Sequence, residues 1–411
     1  MQPAVTELDA LNIEHEFGGN TERALTASVL VLSPGVPNDA PIVKQAMAKG
    51  LKVVSEIEVA SWFCKGPIVA ITGTNGKTTT TTLVGRIFED AKRANIVAGN
   101  IGLAFSQMVE QMTEQHTAIL EVSSFQLDTI ESFRPRASVL LNITPDHLDR
   151  YEHSMDKYVA SKCRVFENQK HGDFIIYNYD DELVRTNVES RVHGAVKRLP
   201  FSTKVQLREG AHVENQMVMT TIDGRRTEII ATENISIKGQ HNLMNAMAAT
   251  LVAKAMDIPT STLRATLKNF KGVEHRLEFV RELDGVVFVN DSKATNVDSV
   301  WYALQSFPQP IVLLLGGRDK GNDYPRLNEL VNKHVKAIVA IGESADKVMN
   351  AFGAMKPTSK AMSLDEAIYQ ARRVAVRGDV VLLSPACASF DWFDNYEHRG
   401  RIFKELVMGL Q

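Results

Sequence analysis

The stretch PIVAITGTNGKTTTTTLV, residues 67–84, restricts the possible folds of this chain more than any other. Residues 67–71 are apolar and rich in β-branched types, which predicts a short buried strand. A tight turn follows, Thr72-Gly73-Thr74-Asn75-Gly76, and then Lys77 and an unbroken run of threonines. Glycines let a backbone curl until several N–H groups face one anion, and the helix that follows offers its positive end to the same anion. Lys77 has the reach to meet terminal phosphates, and the Thr78 hydroxyl suits Mg²⁺. The strict phosphate-loop pattern wants glycine at position 71, where this chain has Ile71, so the loop is a shortened variant. An ordinary Gly-rich turn is the plainer alternative. Strand, turn, Gly-Lys-Thr and helix in that order favour a nucleoside triphosphate site.

At 411 residues the chain is too long for one ordinary domain, and two or three are expected. A net charge of −3, with 23% charged residues well mixed, offers no electrostatic case for nucleic acid or an acidic membrane surface. Cys64, Cys163 and Cys387 form no CxxC pair, so reduced cytosolic thiols are expected, not a disulfide framework or zinc site. The longest apolar runs, such as 311–315, are strand-length and far short of a membrane span.

Residues 1–64 read as part of an α/β unit, with strands at 28–32 and 51–54 around a helix at 41–49. From residue 67 a parallel-sheet rhythm sets in. The loop leads into a helix, Gly99-Asn100-Ile101-Gly102 makes a turn, and strands at 118–122 and 138–143 carry Glu121 and the loop TPDHLDR at their ends. In open α/β sheets ligands gather at the carboxyl ends of strands, which places Glu121 and His147 near a nucleotide held by Gly76 and Lys77. A helix over 154–167 carries Lys162. Residues 195–238 alternate as antiparallel strands would, and helices are expected at 240–255 and 260–270. From Val273 a doubly wound pattern begins, with strands at 286–290, 311–315, 337–341 and 380–383 and helices between them.

Each candidate has a plainer reading beside it. Glu121 ends an apolar strand, the usual station for a carboxylate on nucleotide-bound Mg²⁺, yet a solvated strand-end glutamate is the ordinary case. His147 alone is more often a capping residue than a ligand, and Lys162 alone is a surface lysine. In the last domain the segments NDSKATN (290–296) and SPACAS (384–389) both end strands and could line one crevice, with Arg276, Lys293 and Lys320 as cations for an anionic ligand. Strand-end loops are usually polar without binding anything. Cys387 has no histidine at a telling distance in sequence and reads as a small buried residue.

Taken together, TGTNGKTTT (72–80), LEVSSFQL (120–127), NITPDHLDRY (142–151), HNLMNAMAA (241–249), NDSKATN, LLLGG (313–317) and SPACASFDWF (384–393) resemble the Mur ligase family. The resemblance runs from about residue 28 to the C-terminus. SSFQL, NDSKATN and SPACAS point to its D-glutamate-adding branch, and the DNPR motif of the diaminopimelate- or lysine-adding relatives is absent. The resemblance implies an α/β, three-domain architecture. Residues 1–64 would form a partial N-terminal Rossmann-like domain for the UDP substrate, 65–272 the central P-loop ATPase, and 273–411 a Rossmann-like domain for the amino acid.

It also implies roles. Gly73, Thr74, Asn75, Gly76, Lys77, Thr78 and Thr79 would cradle ATP, with Lys77 on the terminal phosphates. Thr78 and Glu121 would hold one Mg²⁺, and His147 with a carbamoylated Lys162 a second. Asn242, Asn245, Arg276, Asp291 and Lys293 would surround the adenine, ribose and phosphates. Asn100 would contact the muramoyl substrate, and Thr295, Lys320, Ser389, Phe390 and Tyr396 would hold D-glutamate. The implied activity is ATP-dependent addition of D-glutamate to UDP-N-acetylmuramoyl-L-alanine through an acyl phosphate, with closure of the last domain before chemistry. The partners would be these small molecules, with no nucleic acid and no membrane insertion, for a cytoplasmic monomer in peptidoglycan precursor synthesis.

The family opens with a strand and a Gly-rich turn that this sequence lacks, so a first domain truncated at its start is expected. Ser33-Pro34-Gly35 is similar to the family's later uridine-side loop. Two alternatives follow: a nucleotide-binding protein whose ligase activity is impaired by that incomplete domain, or a related Mur or folylpolyglutamate-type ligase.

Overall fold

The structure, a computed structural model, describes residues 2–33, 36–146, 148–192, 194, 196–319 and 321–411. The chain divides into two compact units: Met1–Thr74 with Lys92–Leu199, and Asn75–Ala91 with Pro200–Gln411. It passes from the first to the second inside the phosphate-loop sequence, returns to the first after Ala91, and passes to the second again inside a strand.

In the first unit a two-stranded parallel pair, β1 (Val29–Leu32) and β2 (Lys52–Ser55), precedes a larger parallel sheet. That sheet comprises β3 (Ile68–Thr72), β4 (Asn95–Gly99), β5 (Thr117–Glu121), β6 (Ala137–Leu140) and β7 (Phe174–Asn178) in the order β7-β6-β3-β5-β4. All five positions of β3 and of β5 are buried, which explains why both read as continuous apolar runs and not as alternating ones. β4 and β7 escape the reading from sequence. β4 is half-exposed and short of large apolar side chains, and β7 is a five-residue run that periodicity does not set apart.

The core of this unit joins Ile57, Phe105, Leu120, Phe133, Leu140, Tyr158 and Ile175. A buried glutamate pins the helix Glu56–Phe63 to it. The Glu58 carboxylate accepts from the backbone N–H groups of Glu131, Ser132 and Phe133 at 3.0, 2.9 and 2.8 Å, and from Trp62 Nε1 at 2.8 Å. Burial alone would raise its carboxyl, but the Ser132 hydroxyl, which also donates to it, and these other donors hold it below the usual range.

The second unit contains the helix Lys77–Asp90, which directly follows the loop, and the helices Gln240–Ala255 and Thr260–Asn269. Thr266 Oγ1 donates to Asp90 Oδ2 at 2.7 Å and ties the first of these to the last. β8 (Lys197–Ser202) enters this unit at its end, where Phe201 and Ser202 run parallel to β9 (Gly210–Glu214). β10 (Met217–Ile222) and β11 (Arg225–Ala231) continue antiparallel. The expected antiparallel run therefore holds for β9 to β11 but not for β8, because the connection over 203–209 carries the chain back to the starting end.

The unit's other sheet has six strands: β12 (Glu278–Leu283), β13 (Val286–Asn290), β14 (Ile311–Gly316), β15 (Val335–Ile341), β16 (Thr358–Lys360) and β17 (Val380–Leu383). Their order is β12-β13-β17-β14-β15-β16, parallel except for the antiparallel edge strand β12. Its two faces are covered by separate apolar clusters, one with Val300, Leu313, Leu327 and Phe352, the other with Phe288, Leu314, Ile368 and Phe403. This is the helix-covered parallel arrangement that the alternating pattern from Val273 predicts. No helix among the described residues is long and apolar enough to cross a membrane.

Candidate functional site

In the first unit β3 delivers Thr72 and then Gly73, whose φ of +149° lies in a region that side chains avoid. A Cβ there would stand 3.0 Å from Leu141 Cβ and 3.2 Å from Asn142 N, so glycine is needed for close approach as well as for conformation. Thr74 fastens the loop to the end of β6. Its N–H donates to Asn142 O at 2.9 Å, its hydroxyl donates to Thr144 O at 3.1 Å, and Thr144 N donates back to that hydroxyl at 3.0 Å. Lys162, 2% exposed on the helix Met155–Cys163, donates from Nζ to Gly73 O at 2.9 Å. Its ammonium also lies 4.7 Å from the Tyr158 ring centroid, and the Tyr158 hydroxyl is 3.1 Å from Thr74 Oγ1. Lys162 is thus no surface lysine. Tyr158 was not singled out from the sequence, although it stands four residues before Lys162 on one helix and therefore on the same face.

Glu121 ends β5 and is 3% exposed. Its Oε1 accepts from Asn100 Nδ2 at 2.9 Å, and its backbone O accepts from Asn100 N at 2.8 Å. Gly99 makes that approach possible: a Cβ on it would sit 2.4 Å from Glu121 O. Glu121 Oε2 is buried and has no hydrogen-bond partner among the described residues. A buried carboxylate oxygen left unpaired is costly, and a hard cation with oxygen ligands is what satisfies it. Asn100 and Glu121, read separately from the sequence, are neighbours. His147 lies outside the described residues, as do Pro34 and Gly35 of the uridine-side loop.

In the second unit Gly76 caps the helix Lys77–Asp90 with φ +86° and no capping side chain, so no side chain of its own competes for the first-turn N–H groups. A Cβ at Gly76 would stand 2.4 Å from Asn245 Oδ1. Asn245 Nδ2 donates to Asn242 Oδ1 at 3.3 Å, and Asn242 Nδ2 donates to Lys238 O at 2.8 Å, so both asparagines are buried in a fixed orientation beside the loop.

Around the end of β13, Asp291 is 1% exposed. It accepts from Ser384 Oγ at 2.8 Å and from Leu277 N at 3.2 Å, with Arg276 Nη1 at 3.9 Å. Burial pushes its carboxyl up to about 6, against the opposing pull of Arg276 and the Ser384 hydroxyl. The bond to Ser384 brings the two polar strand ends, NDSKATN and SPACAS, side by side. Lys293 Nζ donates to Tyr396 OH at 3.1 Å and lies 4.9 Å from that ring's centroid, which joins a residue assigned to phosphate with one assigned to D-glutamate.

Arg399 is buried beneath these loops and donates to Ser292 O, Ser292 Oγ and Cys387 O at 2.8, 2.9 and 3.1 Å. The sequence offered no signal for it beyond its being one of two arginines in an amphipathic helix. Ser389 is buried, Phe390 stands 58% exposed, and Lys320 lies outside the described residues. Cys387 is buried against Asn322, Tyr324 and Ser344, and burial raises its thiol above the usual range.

Among the described residues one group of three potential metal ligands comes together, Glu274, His275 and Glu278. Lys404 Nζ already bonds both glutamates at 2.9 and 2.6 Å, and Asn290 Nδ2 is 2.9 Å from His275 Nδ1. That group is an ion-pair cluster, separate from the residues expected to hold Mg²⁺.

Residues 71–253 match the Mur ligase middle domain, and residues 275–387 match the Mur ligase glutamate ligase domain. A UDP-N-acetylmuramoylalanine–D-glutamate ligase of Salinibacter ruber is 50% identical over 411 residues, covering 98% of this chain and 89% of the relative. One from Chloroherpeton thalassium is 46% identical over 419 residues, covering 98% and 90%. Among solved structures, a pseudomurein peptide ligase type C from Methanothermus fervidus superposes with a TM-score of 0.65 at 16% identity, covering 99% of this chain and 92% of that one. E. coli FolC, in complex with DHPP and ADP, gives 0.64 at 12% identity, covering 92% and 99%.

Proposed function

The chain belongs to the Mur ligase family, and on that premise we propose that it uses ATP to join D-glutamate to UDP-N-acetylmuramoyl-L-alanine. The observation that carries this reading is the 50% identity, across 98% of the chain, to a relative named for that reaction.

The chemistry sets what the residues must do. A carboxylate is a poor acyl donor because its leaving group would be oxide. Transfer of the γ-phosphoryl group to the terminal carboxylate of the alanyl substrate makes an acyl phosphate. The amine of D-glutamate attacks its carbonyl, and the tetrahedral intermediate collapses to amide and phosphate, leaving ADP from the first step. No covalent bond to the protein is required. The task is to hold two anions together and keep their charge compensated.

For the phosphates, the backbone amides at the start of the helix Lys77–Asp90 and the Lys77 ammonium are the groups suited to the work. Asn245 and Asn242, held rigid beside Gly76, suit the base, while Asp291, Arg276 and Lys293 suit the ribose and phosphates. Mg²⁺ bound with ATP would supply further charge compensation between the incoming carboxylate and the triphosphate. The unpaired Oε2 of Glu121 supports that residue, with Thr78, as a metal ligand. Carbamoylation of Lys162 would turn an ammonium that repels a cation into an oxygen donor, and with His147 it would serve a second ion. Asn100 would orient the alanyl substrate beside Glu121. Thr295, Ser389, Phe390, Tyr396 and Lys320 would receive D-glutamate. The reading carries a cytoplasmic monomer, working where ATP and the nucleotide-linked sugar are available.

Phosphate release with UDP-N-acetylmuramoyl-L-alanine and ATP, measured against a panel of D-glutamate, L-alanine, L-lysine and a folate acceptor, tests the proposal. Release that depends on D-glutamate alone is expected. Release with L-lysine or with a folate in its place would move the chain to another branch of the family, and none with any acceptor would leave a nucleotide-binding protein without ligase activity.

A further inference from the structure

One helix of the second unit touches the phosphate loop and leads directly from the amino-acid segment. The helix Val297–Leu304 begins at Asn296, whose side chain accepts from Ser299 N at 2.8 Å. Thr295, assigned above to D-glutamate, immediately precedes that cap. On the other side of the same turn, Ser299 Oγ faces Asn75 Oδ1 of the phosphate loop at 3.5 Å, a contact between residues 224 apart in sequence. Both residues are buried. Further along the same face, the Tyr302 ring lies 5.7 Å from the His241 ring, and the Ser306 hydroxyl lies 3.2 Å from where a Cβ on Gly239 would stand. His241 and Gly239 begin the helix that carries Asn242 and Asn245. Residues 299 and 302 share one face of this helix and Ser306 lies in the turn that follows it, so one side of the segment meets the loop and the asparagine helix together.

We propose that Ser299, supported by Tyr302, is a positioning residue that couples the phosphate loop to the D-glutamate segment. Through Ser299 the helix senses the position of Asn75, and through the Asn296 cap it sets the position of Thr295. A 3.5 Å separation is at the long limit for a hydrogen bond, and such contacts tighten when a ligand draws the loop into its working geometry. His241 is kept neutral by burial and then by Arg276, which push it down to about 3, so its ring meets Tyr302 as an uncharged partner. On the far side Arg326 Nη2 bonds Asp298 Oδ1 at 2.6 Å and keeps the helix from turning freely. A nucleotide that fixes Asn75 therefore lowers the cost of ordering Thr295, and by linkage D-glutamate raises nucleotide affinity by the same factor.

The inference rests on the ligase reading, and its test separates the two. ADP affinity is measured by calorimetry with and without D-glutamate, alongside D-glutamate-dependent phosphate release, in the wild type, Ser299→Ala, Ser299→Thr, Asn75→Ala and the Asn75→Ala/Ser299→Ala double variant. One hydrogen bond of ordinary strength corresponds to about a fivefold effect. In Ser299→Ala the KM for D-glutamate is expected to rise about fivefold and the D-glutamate enhancement of ADP binding to vanish, with Ser299→Thr restoring both. On the Asn75→Ala background Ser299→Ala is expected to change the KM no further, a non-additivity that general loss of packing would not produce. Wild-type turnover with unchanged coupling in Ser299→Ala, or independent multiplicative effects in the double variant, overturns the proposal and leaves the ligase reading intact. Absence of D-glutamate-dependent turnover in the wild type overturns both.

Discussion

Lys162 Nζ donates to the backbone oxygen of Gly73 at 2.9 Å, across 89 residues of sequence, with the lysine almost wholly buried. The first glycine of the phosphate loop is therefore held from below by a cation on another element. The Tyr158 ring lies against that ammonium, and its hydroxyl meets Thr74 of the same loop. Loop position and lysine position depend on each other, whatever chemical form the lysine takes during turnover.

Replacing Lys162 by alanine removes both the support and the candidate metal ligand. Turnover is expected to fall by about 10²–10³, the loss that removing one preorganised hydrogen-bonding group from a reaction centre produces. Gly73 O would lose a partner at a cost of about 1–3 kcal/mol. Short carboxylic acids small enough to enter the vacated space should recover part of the rate if the working form is a carbamate. Phosphate release with and without formate or acetate measures this, and full activity in the unrescued variant would refute the role.

Glu121→Gln keeps an oxygen for Asn100 and removes the charge at Oε2. The Mg²⁺ concentration for half-maximal activity is expected to rise by about tenfold or more, in the range that perturbing a metal site produces. The folded state should be no less stable, since an unpaired buried charge has been removed. A metal titration beside a thermal melt checks both halves, and an unchanged Mg²⁺ requirement would remove Glu121 from the metal site.

At Gly76 the φ of +86° and the 2.4 Å approach to Asn245 Oδ1 combine against any side chain. Gly76→Ala is expected to cost about 1–2 kcal/mol in backbone strain alone. Displacement of Asn245 should abolish the stabilisation that ADP confers on melting. A variant that melts like wild type and still gains from ADP would contradict this.

Asp291 carries a pH signature. Its folded pKa of about 6 lies above the ordinary 3.8, so the folded form binds its proton more tightly than the unfolded form does. The associated stabilisation is complete below 3.8 and is lost as pH rises through 6, which makes the ionised, buried carboxylate a cost of about 3 kcal/mol at neutral pH. Asp291→Asn is therefore expected to melt higher than wild type at pH 7.5, with the difference disappearing near pH 4. The KM for ATP in wild type should rise as pH falls below 6, where the neutral carboxyl accepts from ribose hydroxyls more weakly than the carboxylate does, and in the variant it should be raised and flat. Matching pH profiles for the two proteins would exclude the residue from nucleotide binding.

Local features were legible because they depend on neighbours in the chain. The buried run before Gly73, the glycines at 73 and 76, the Gln240–Ala255 helix and the strands β13, β14, β15 and β17 all follow from residue type and short-range period. The edge strand β12 and the half-exposed β4 were missed, since an edge or a partly solvated strand need not be continuously apolar. Glu121 was singled out by its place at a strand end. That Asn100 holds one of its oxygens and leaves the other unpaired was invisible, because the bond joins different segments.

The sequence by itself determined that a strand, a glycine turn and a helix would follow one another between Ile68 and Asp90, and that a second parallel sheet would follow from Val273. Backbone sterics and hydrophobic period act within a few residues, so they are written locally. Only the tertiary structure decided that Lys162 supports Gly73, that Asn245 lies against Gly76, that Lys293 meets Tyr396 and that Ser299 faces Asn75. Those contacts depend on where separate elements pack, and packing is settled by the complementarity of whole surfaces, which no single window of residues contains.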